Sequence, residues 1–211
     1  MKAIDLIASS LNIRGDEPNQ ALADEIIRLN QNDWVKELVE NLKNKDKNIQ
    51  SDCIKTLYEV GERGRGDMLA PYCKEFCDLL ASKNNRLVWG AMTAIDTLTP
   101  YNTKSVFDFL PLIIRTIENG SVITIDHGVG VLAKLAGNDK YSTEAFPLLL
   151  EQLKKCQAKQ LPMYAEKSIQ AVNDQNKEVF IELLKSRIPE MEKDSQIARI
   201  NKVIKKILSK K

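Results

Sequence analysis

A pattern of small and large apolar residues recurs along the sequence every 37 or 38 residues, and this period limits the folds that the chain can adopt. In each repeat a small residue is followed by large aliphatic residues four and seven positions later. The small residues and their first partners are Cys53 with Leu57, Ala91 with Ile95, Gly128 with Leu132, and Ala165 with Ile169. Positions i, i+4 and i+7 share one side of an α-helix. The pattern therefore predicts amphipathic helices, each with a small residue where another helix approaches.

A second amphipathic segment precedes each of these helices. The segments are residues 34–42, 69–80, 106–117 and 146–153, and residues 179–188 begin a further pair. Three segments have a proline near the start, where the first turn of a helix tolerates a missing amide proton: Pro71, Pro111 and Pro147. The chain is thus predicted to form stacked helix pairs, each of which buries its apolar stripe against its neighbours.

Composition agrees with a globular helical protein. The 211 residues are 43% hydrophobic and 28% charged, with only nine Gly and seven Pro. The net charge of +2 is too small for the molecule as a whole to attract nucleic acid or an anionic membrane strongly. The longest apolar stretch, residues 109–114, is far shorter than the roughly 20 residues of a membrane-spanning helix. Asp5 interrupts the segment that would be the apolar core of a signal peptide. We therefore expect a cytoplasmic protein without a membrane span.

The helix-pair unit resembles HEAT repeats in its length, in the proline of its first helix and in the small residue before Leu or Ile in its second helix. The resemblance covers roughly residues 32–208 and implies an all-α fold, an α-α superhelix of about five to six stacked HEAT-like (armadillo-like) helix pairs. HEAT units often carry an acidic residue in the turn between the helices and a basic residue early in the second helix. Asp46 and Arg86 fit these places, whereas other repeats depart from them with Asn84, Asn119 and Lys159.

We expect a single solenoid domain over residues 1–211. It would comprise a divergent N-terminal cap at 1–31, regular repeats at 32–172 and a C-terminal repeat with a basic capping helix at 173–211. The cap is predicted to contain helices at residues 3–11 and 18–29.

The resemblance implies that the second helices line the concave, partner-binding surface. Residues one or two positions before a buried anchor point towards that surface, and so does Arg86, one turn before Trp89. Trp, Tyr and Arg supply much of the binding energy at protein interfaces. We predict a binding patch, with Trp89 and Tyr164 open to solvent, that consists of Arg86, Trp89, Asp126, His127, Met163 and Tyr164. The alternative is that Trp89 packs between neighbouring second helices as part of the core.

The sequence shows no motif for catalysis, a metal or a cofactor. His127 is the only histidine, which excludes a multi-histidine metal site within the chain, and we expect a neighbouring carbonyl or carboxylate to hold it. The four cysteines lack CxxC spacing and are predicted to be reduced and packed as small apolar residues: Cys53, Cys73, Cys77 and Cys156. Residues 61–66 are rich in glycine but lack the Lys-Ser/Thr ending of a P-loop, and are predicted to be a linker that ends a helix.

Two functions fit a concave surface of this kind. The first is a non-enzymatic scaffold or adaptor that presents its concave surface to a protein or peptide. The second is a DNA-repair glycosylase acting on alkylated bases, because bacterial enzymes of that kind are built from HEAT-like repeats with aromatic, acidic and arginine side chains in their cleft. The residues of those types here are Arg86, Trp89, Asp96 and Asp126. DNA binding also requires cations, and the rows expected to be exposed alternate Lys55 and Lys167 with Asp52, Asp96 and Asp126. The scaffold is therefore favoured, and nucleic acid is not expected as the partner.

The last segment forms an amphipathic pattern. Its apolar face contains Ile197, Ile200, Ile204, Ile207 and Leu208, and its other face is basic, with Arg199, Lys202, Lys205 and Lys206. A terminal repeat keeps one side in water in this way. The alternative is that this helix, with Lys210 and Lys211 beyond it, contacts anionic lipid or RNA.

Overall fold

The computed structural model describes residues 2–209, which contain helices and turns and no strand. Contacts divide the chain into two compact units, Met1–Gly128 and Val129–Lys211. The first unit contains α1 (Glu17–Leu29), α2 (Asn32–Glu40), α3 (Lys47–Val60), α4 (Gly66–Leu69), α5 (Cys73–Leu79), α6 (Asn85–Leu98), α7 (Thr103–Asp108) and α8 (Leu110–Asn119). The division falls within α9 (Val122–Ala136), and the second unit continues with α10 (Ser142–Lys155), α11 (Leu161–Ser168), α12 (Lys177–Arg187) and α13 (Asp194–Leu208). The expectation of a single domain over residues 1–211 stays a prediction.

The predicted second helices are confirmed as α3, α6, α9 and α11. Their small anchor residues are all buried: Cys53, Ala91, Gly128 and Ala165. At Gly128 the reason for the small side chain is visible, because an added Cβ would lie 2.6 Å from the Cδ1 atom of Ile117 in α8. Ile169 is only half-buried, since α11 ends before it and a 3-10 turn, Ile169–Ala171, follows.

The predicted first helices are present, but two of them are interrupted. The segment 69–80 is divided among α4, a 3-10 turn at Ala70–Tyr72 and α5. The segment 106–117 is divided between α7 and α8, which meet at Phe109. Each interruption lies beside a proline, Pro71 or Pro111, which has no amide proton for the preceding turn and so begins a new helical segment.

The prediction of a helix at residues 3–11 is wrong. Only Ala3–Leu6 forms a 3-10 turn, and the chain then passes through Asn12 and Gly15, whose φ angles of 54° and 119° lie in the left-handed region. Side chains from α1 and α3 bind this segment instead. The Asn19 side chain accepts from the Ala8 amide at 2.9 Å, and Asp52 accepts from the Ser9 amide at 2.7 Å. These hydrogen bonds replace those of a regular helix.

Within the first unit, α3 packs between α1 and α6, and α5 packs against α6. Two predicted turn residues cap the second helices. The Asp46 side chain accepts from the Asn48 amide at 2.7 Å at the start of α3, and the Asn84 side chain accepts from the Arg86 amide at 3.1 Å at the start of α6. Asp46 and Asn84 therefore have the same capping role, since the side-chain oxygen of either residue accepts a hydrogen bond from a backbone amide in the first turn of its helix.

Within the second unit, α11 packs against α10 and α13, and α12 packs against α13. The amphipathic pattern of α13 is present: Ile200, Val203, Ile204 and Ile207 are buried, while Lys202, Lys205 and Lys206 are exposed. Leu208 was expected on the apolar face, but it is 65% exposed at the last turn. Lys210 and Lys211, part of the predicted lipid or RNA contact, lie outside the described residues. In residues 2–209 no helix has the length and apolar character needed to cross a membrane.

Candidate functional site

Trp89 on α6 is half-buried and contacts the ring of Tyr58 on α3. The two ring centroids are 5.4 Å apart, with an angle of 54° between the ring planes. Tilted pairs at this distance are favourable because the positive edge of one ring meets the negative face of the other. Trp89 therefore packs against the neighbouring second helix α3 and keeps part of its surface accessible.

Charged side chains from three elements meet next to this aromatic pair. The Lys55 ammonium lies 5.0 Å from the centroid of the Tyr58 ring, on the distance scale of a cation–π contact. Asp16, at the start of α1, lies 3.6 Å from Lys55 and 3.4 Å from Arg86. Burial alone would lower the pKa of Lys55, but hydrogen bonds with Glu59 and Tyr58 outweigh it and raise the pKa above its usual value. Lys55 is thus a fixed positive charge.

The expectation that Asp52, Lys55 and Asp96 form an exposed charged row is wrong. Their exposed fractions are 9%, 8% and 7%. The physical reason is that α3 has α1 on one side and α6 on the other, so the predicted outer face of the helix is covered. Each charge has a partner there: Asp52 accepts from Asn19 at 2.9 Å, and Lys55 donates to Glu59.

His127 on α9 contacts a carboxylate, which is one of the two partners that the sequence predicted for it, a carbonyl or a carboxylate. Its Nδ1 atom lies 3.0 Å from Oδ2 of Asp96 on α6. Because a carboxylate only accepts, the Nδ1–H group of His127 is the donor. Asp126, beside it on α9, is half-buried. Asp96, one of the two acidic residues considered for the glycosylase alternative, is therefore buried and engaged with His127.

We define the second-helix face of the first unit as the cluster of Lys55, Tyr58, Arg86, Trp89, Asp96 and His127. Arg86, Trp89 and His127 keep accessible surface, whereas Lys55, Tyr58 and Asp96 are buried. Trp89 and Arg86 are three residues apart on α6, and Asp96 is seven residues beyond Trp89, so all three share one side of that helix. The contacts of Trp89 with Tyr58 and of Asp96 with His127 connect α6 to α3 and α9. This face brings together three of the predicted residues, Arg86, Trp89 and His127.

Of the three other predicted residues, Asp126 lies in the first unit and Met163 and Tyr164 lie in the second unit. Met163 on α11 is half-buried. Tyr164 is only 1% exposed, so the expectation that it is open to solvent is wrong. Tyr164 precedes the buried anchor Ala165, and α11 packs against both α10 and α13, which leaves little of its surface free. Tyr164 is therefore a core residue and cannot act as a surface anchor.

Three of the four cysteines are packed in the core as predicted, and the glycine-rich segment ends a helix. All four thiols are free; Cys53, Cys73 and Cys77 are buried, and Cys156 is partly accessible. Burial raises the pKa of the Cys53 thiol to about 12, which keeps it protonated near neutral pH. Residues 61–66 end α3 with a single turn at Gly61–Arg65, in which Gly64 has a φ of 89°. Within residues 2–209 no three His, Cys, Asp or Glu side chains are placed to hold a metal ion.

Tyr58 and Asp16 were missed by the sequence reasoning. Tyr58 lies one position after the predicted anchor Leu57, where the repeat pattern contains no rule for an aromatic residue. Asp16 lies in the irregular N-terminal segment, 70 residues from Arg86. No periodicity relates positions so far apart when one of them is outside the repeats.

Comparisons with known proteins agree on the fold. No family model matches the sequence, and no curated protein matches it significantly. In structure the chain is similar to a designed armadillo repeat protein in complex with the peptide (KR)4, with a TM-score of 0.66 and 12% identity over 89% of this chain and 86% of that chain. An engineered protein has a TM-score of 0.65 and 15% identity over 99% of this chain and 98% of that chain. A computationally designed armadillo repeat protein for modular peptide recognition has a TM-score of 0.64 and 14% identity over 97% of this chain and 90% of that chain.

The chain therefore has the all-α fold of armadillo and HEAT-like α-solenoids, as the sequence predicted. At these identities the likeness establishes the fold, and function has to be argued from the side chains.

Proposed function

We propose that the chain is a non-enzymatic, cytoplasmic scaffold that binds a peptide on the second-helix face, with Trp89 as its principal anchor. Arg86 and His127 on that face, and Asp126 next to it, complete the proposed binding surface. One structural neighbour is in complex with the peptide (KR)4, and another is designed for modular peptide recognition. Those properties belong to the neighbours, and they support a similar use of the same fold here.

The proposal rests mainly on the contact of Trp89 with Tyr58. Tyr58 is buried and holds one part of the Trp89 ring at a centroid distance of 5.4 Å, while the remainder of the ring is accessible. A partner that covers the accessible part gains apolar area and does not have to order a mobile side chain. Rigid aromatic side chains of this kind are common among the residues that dominate binding energy.

The polar groups of the face are also ordered before a peptide arrives. Asp16 lies 3.4 Å from the Arg86 guanidinium, and Asp96 accepts from His127 at 3.0 Å. The Arg86 and His127 side chains can each make a further hydrogen bond, because a guanidinium has five N–H donors and an imidazole has a second ring nitrogen. The face thus presents an aromatic surface with hydrogen-bonding groups at set positions along α6 and α9.

The proposal is tested with fluorescent peptide pools of the form XXXZZZXXX, in which X is any uncharged residue and Z is Glu, Gln or Lys. Wild-type protein is expected to bind at least one pool, measured by fluorescence anisotropy. Trp89→Ala should weaken that binding about 30-fold, the loss expected of an interface anchor worth about 2 kcal/mol. Trp34→Ala is the matched control, because Trp34 is the other half-buried tryptophan and lies on the first helix α2.

Binding of none of the pools by the wild type would contradict the proposal, as would equal losses for Trp89→Ala and Trp34→Ala. Trp89→Leu is measured in parallel in case the alanine variant does not fold, because leucine fills part of the space beside Tyr58. Release of a methylated base from duplex DNA by the wild type would contradict the non-enzymatic part of the proposal.

A further inference from the structure

A cleft of about 580 Å³ lies in the first unit where the N-terminal segment meets the beginnings of α3 and α6. We name it the cap cleft, and its lining residues that matter here are Ser9, Arg14, Asp16, Ser51, Asp52 and Arg86. Its volume is in the range of sites that hold small ligands or a few residues of a peptide. Arg86 belongs both to this cleft and to the second-helix face, so the two surfaces are continuous.

The acidic groups of the cap cleft are already engaged by the protein. Asp52 accepts from the Ser9 amide at 2.7 Å through one oxygen and from the Asn19 side chain at 2.9 Å through the other. Asp16 lies between two cations, 3.6 Å from Lys55 and 3.4 Å from Arg86. Their negative charges are therefore balanced or hydrogen-bonded inside the wall of the cleft.

Two donors in the cap cleft have no such partner. Arg14 is exposed and makes no hydrogen bond or ion pair with the residues that the structure describes. The hydroxyl oxygen of Ser9 is buried, and in residues 2–209 it is the only buried side-chain nitrogen or oxygen atom without a hydrogen-bond partner. A buried hydroxyl in this state costs free energy that a suitable acceptor would recover.

We propose that the cap cleft binds an anionic side chain, the carboxylate of a Glu or Asp residue in the peptide partner. A carboxylate has two acceptor oxygens, which suit the guanidinium of Arg14 and the hydroxyl of Ser9. Arg86 adds a second guanidinium from the other side of the cleft. Ile13, which lines the same cleft and is 49% exposed, offers apolar contact to the stem of that side chain.

The inference rests on the proposed function and adds a specificity to it. Arg86 is one helical turn before Trp89, so a single extended peptide can place an acidic residue in the cap cleft and an adjacent residue on Trp89. The chain should therefore prefer acidic peptides, although its own net charge is only +2.

The test compares the Glu, Gln and Lys pools on three single variants. Wild-type protein should bind the Glu pool at least about tenfold more tightly than the Gln pool, as expected for a charge-assisted contact. Arg14→Gln should reduce the affinity for the Glu pool to that for the Gln pool. Arg115→Gln is the control for lost charge, because Arg115 is also an exposed arginine but lines a different cleft of about 500 Å³.

Ser9→Ala separates ligand binding from a structural role. It should weaken binding of the Glu pool about fivefold without lowering the melting temperature, since the hydroxyl that it removes has no partner in the protein. A lower melting temperature with unchanged binding of the Glu pool would show that Ser9 acts in folding and would overturn its assignment to the site.

The outcomes distinguish this inference from the proposed function. Equal wild-type affinity for the Glu and Gln pools would refute the carboxylate site and leave the peptide scaffold intact, whereas binding of no pool would remove both. A loss in Arg115→Gln as large as in Arg14→Gln would attribute the preference to overall charge and refute the site. Binding of a phosphoserine pool without binding of the Glu pool would also overturn the assignment.

Discussion

Replacing Glu59 with glutamine tests whether buried charges on α3 stabilise the first unit. The Glu59 carboxylate accepts from Lys55 on one side and from Arg63 on the other, and the residue is only 9% exposed. Glutamine has the same shape but no charge. The substitution therefore removes two charge-assisted hydrogen bonds and leaves two cations facing a neutral group.

The structure sets the expected magnitude. Removing one member of a buried ion pair commonly costs about 3–5 kcal/mol. Here each cation keeps another carboxylate, since Lys55 lies 3.6 Å from Asp16 and Arg63 lies 2.8 Å from Asp24. We therefore expect Glu59→Gln to lower the free energy of unfolding by about 2–3 kcal/mol near neutral pH.

The loss should depend on pH. Burial would raise the pKa of Glu59, but the hydrogen bonds and charges of Lys55 and Arg63 outweigh it and hold the pKa below its ordinary value of 4.5. A carboxyl whose pKa is lowered by folding stabilises the protein above its unfolded pKa, and this contribution disappears as the pH falls through the folded pKa. The difference between wild type and Glu59→Gln should thus shrink on acidification.

Urea unfolding followed by far-ultraviolet circular dichroism, at about pH 7 and about pH 3.5, measures both effects. Glu62→Gln is the control, because Glu62 is exposed and its replacement should change the free energy of unfolding by less than about 0.5 kcal/mol. A loss for Glu59→Gln below about 1 kcal/mol near neutral pH, or a loss that does not shrink in acid, would refute the reasoning.

Three further predictions concern stability and reactivity. Gly66→Ala should lower the free energy of unfolding by about 2 kcal/mol or more, because the added Cβ overlaps the Thr97 carbonyl group, with its carbon at 2.8 Å. Gly64→Ala should lower the free energy of unfolding by only about 1 kcal/mol, because the added Cβ meets no atom within 4 Å and only the φ of 89° is unfavourable. A larger loss for Gly64→Ala than for Gly66→Ala in urea titrations would contradict this. Arg187→Met should destabilise the second unit by about 2 kcal/mol, seen as a lower thermal midpoint, since Arg187 is 8% exposed and donates to the Leu153 carbonyl at 2.7 Å. In the folded protein a thiol reagent should modify Cys156 first and Cys53 only on unfolding, as peptide mass mapping would show.

Much of the architecture could be predicted from local patterns. The small residues Cys53, Ala91 and Gly128 recur at nearly constant spacing, and each marks a buried point on a second helix. Such a pattern is readable because the side of a helix on which a residue lies depends only on its position within a few turns. The same reasoning placed His127 on a second helix.

The candidate site could be predicted only in part. Arg86 and Trp89 were identified from their positions opposite a buried stripe. The burial of Lys55 and of Tyr164 was missed, because the exposure of a helix face depends on which other helices cover it. A helix that packs on two sides has a narrower open face than the pattern of one helix indicates.

The sequence by itself determined the all-α repeat architecture and the residues that anchor its second helices, because apolar periodicity and side-chain size act over a few turns. Only the tertiary structure decided which polar groups meet. Ser9 meets Asp52 across 43 residues, His127 meets Asp96 across 31, and Arg86 meets Asp16 across 70. The physical reason is that the stacking of helices brings these side chains within hydrogen-bond distance, and the turn at Asn12 and Gly15 directs the N-terminal segment onto α3.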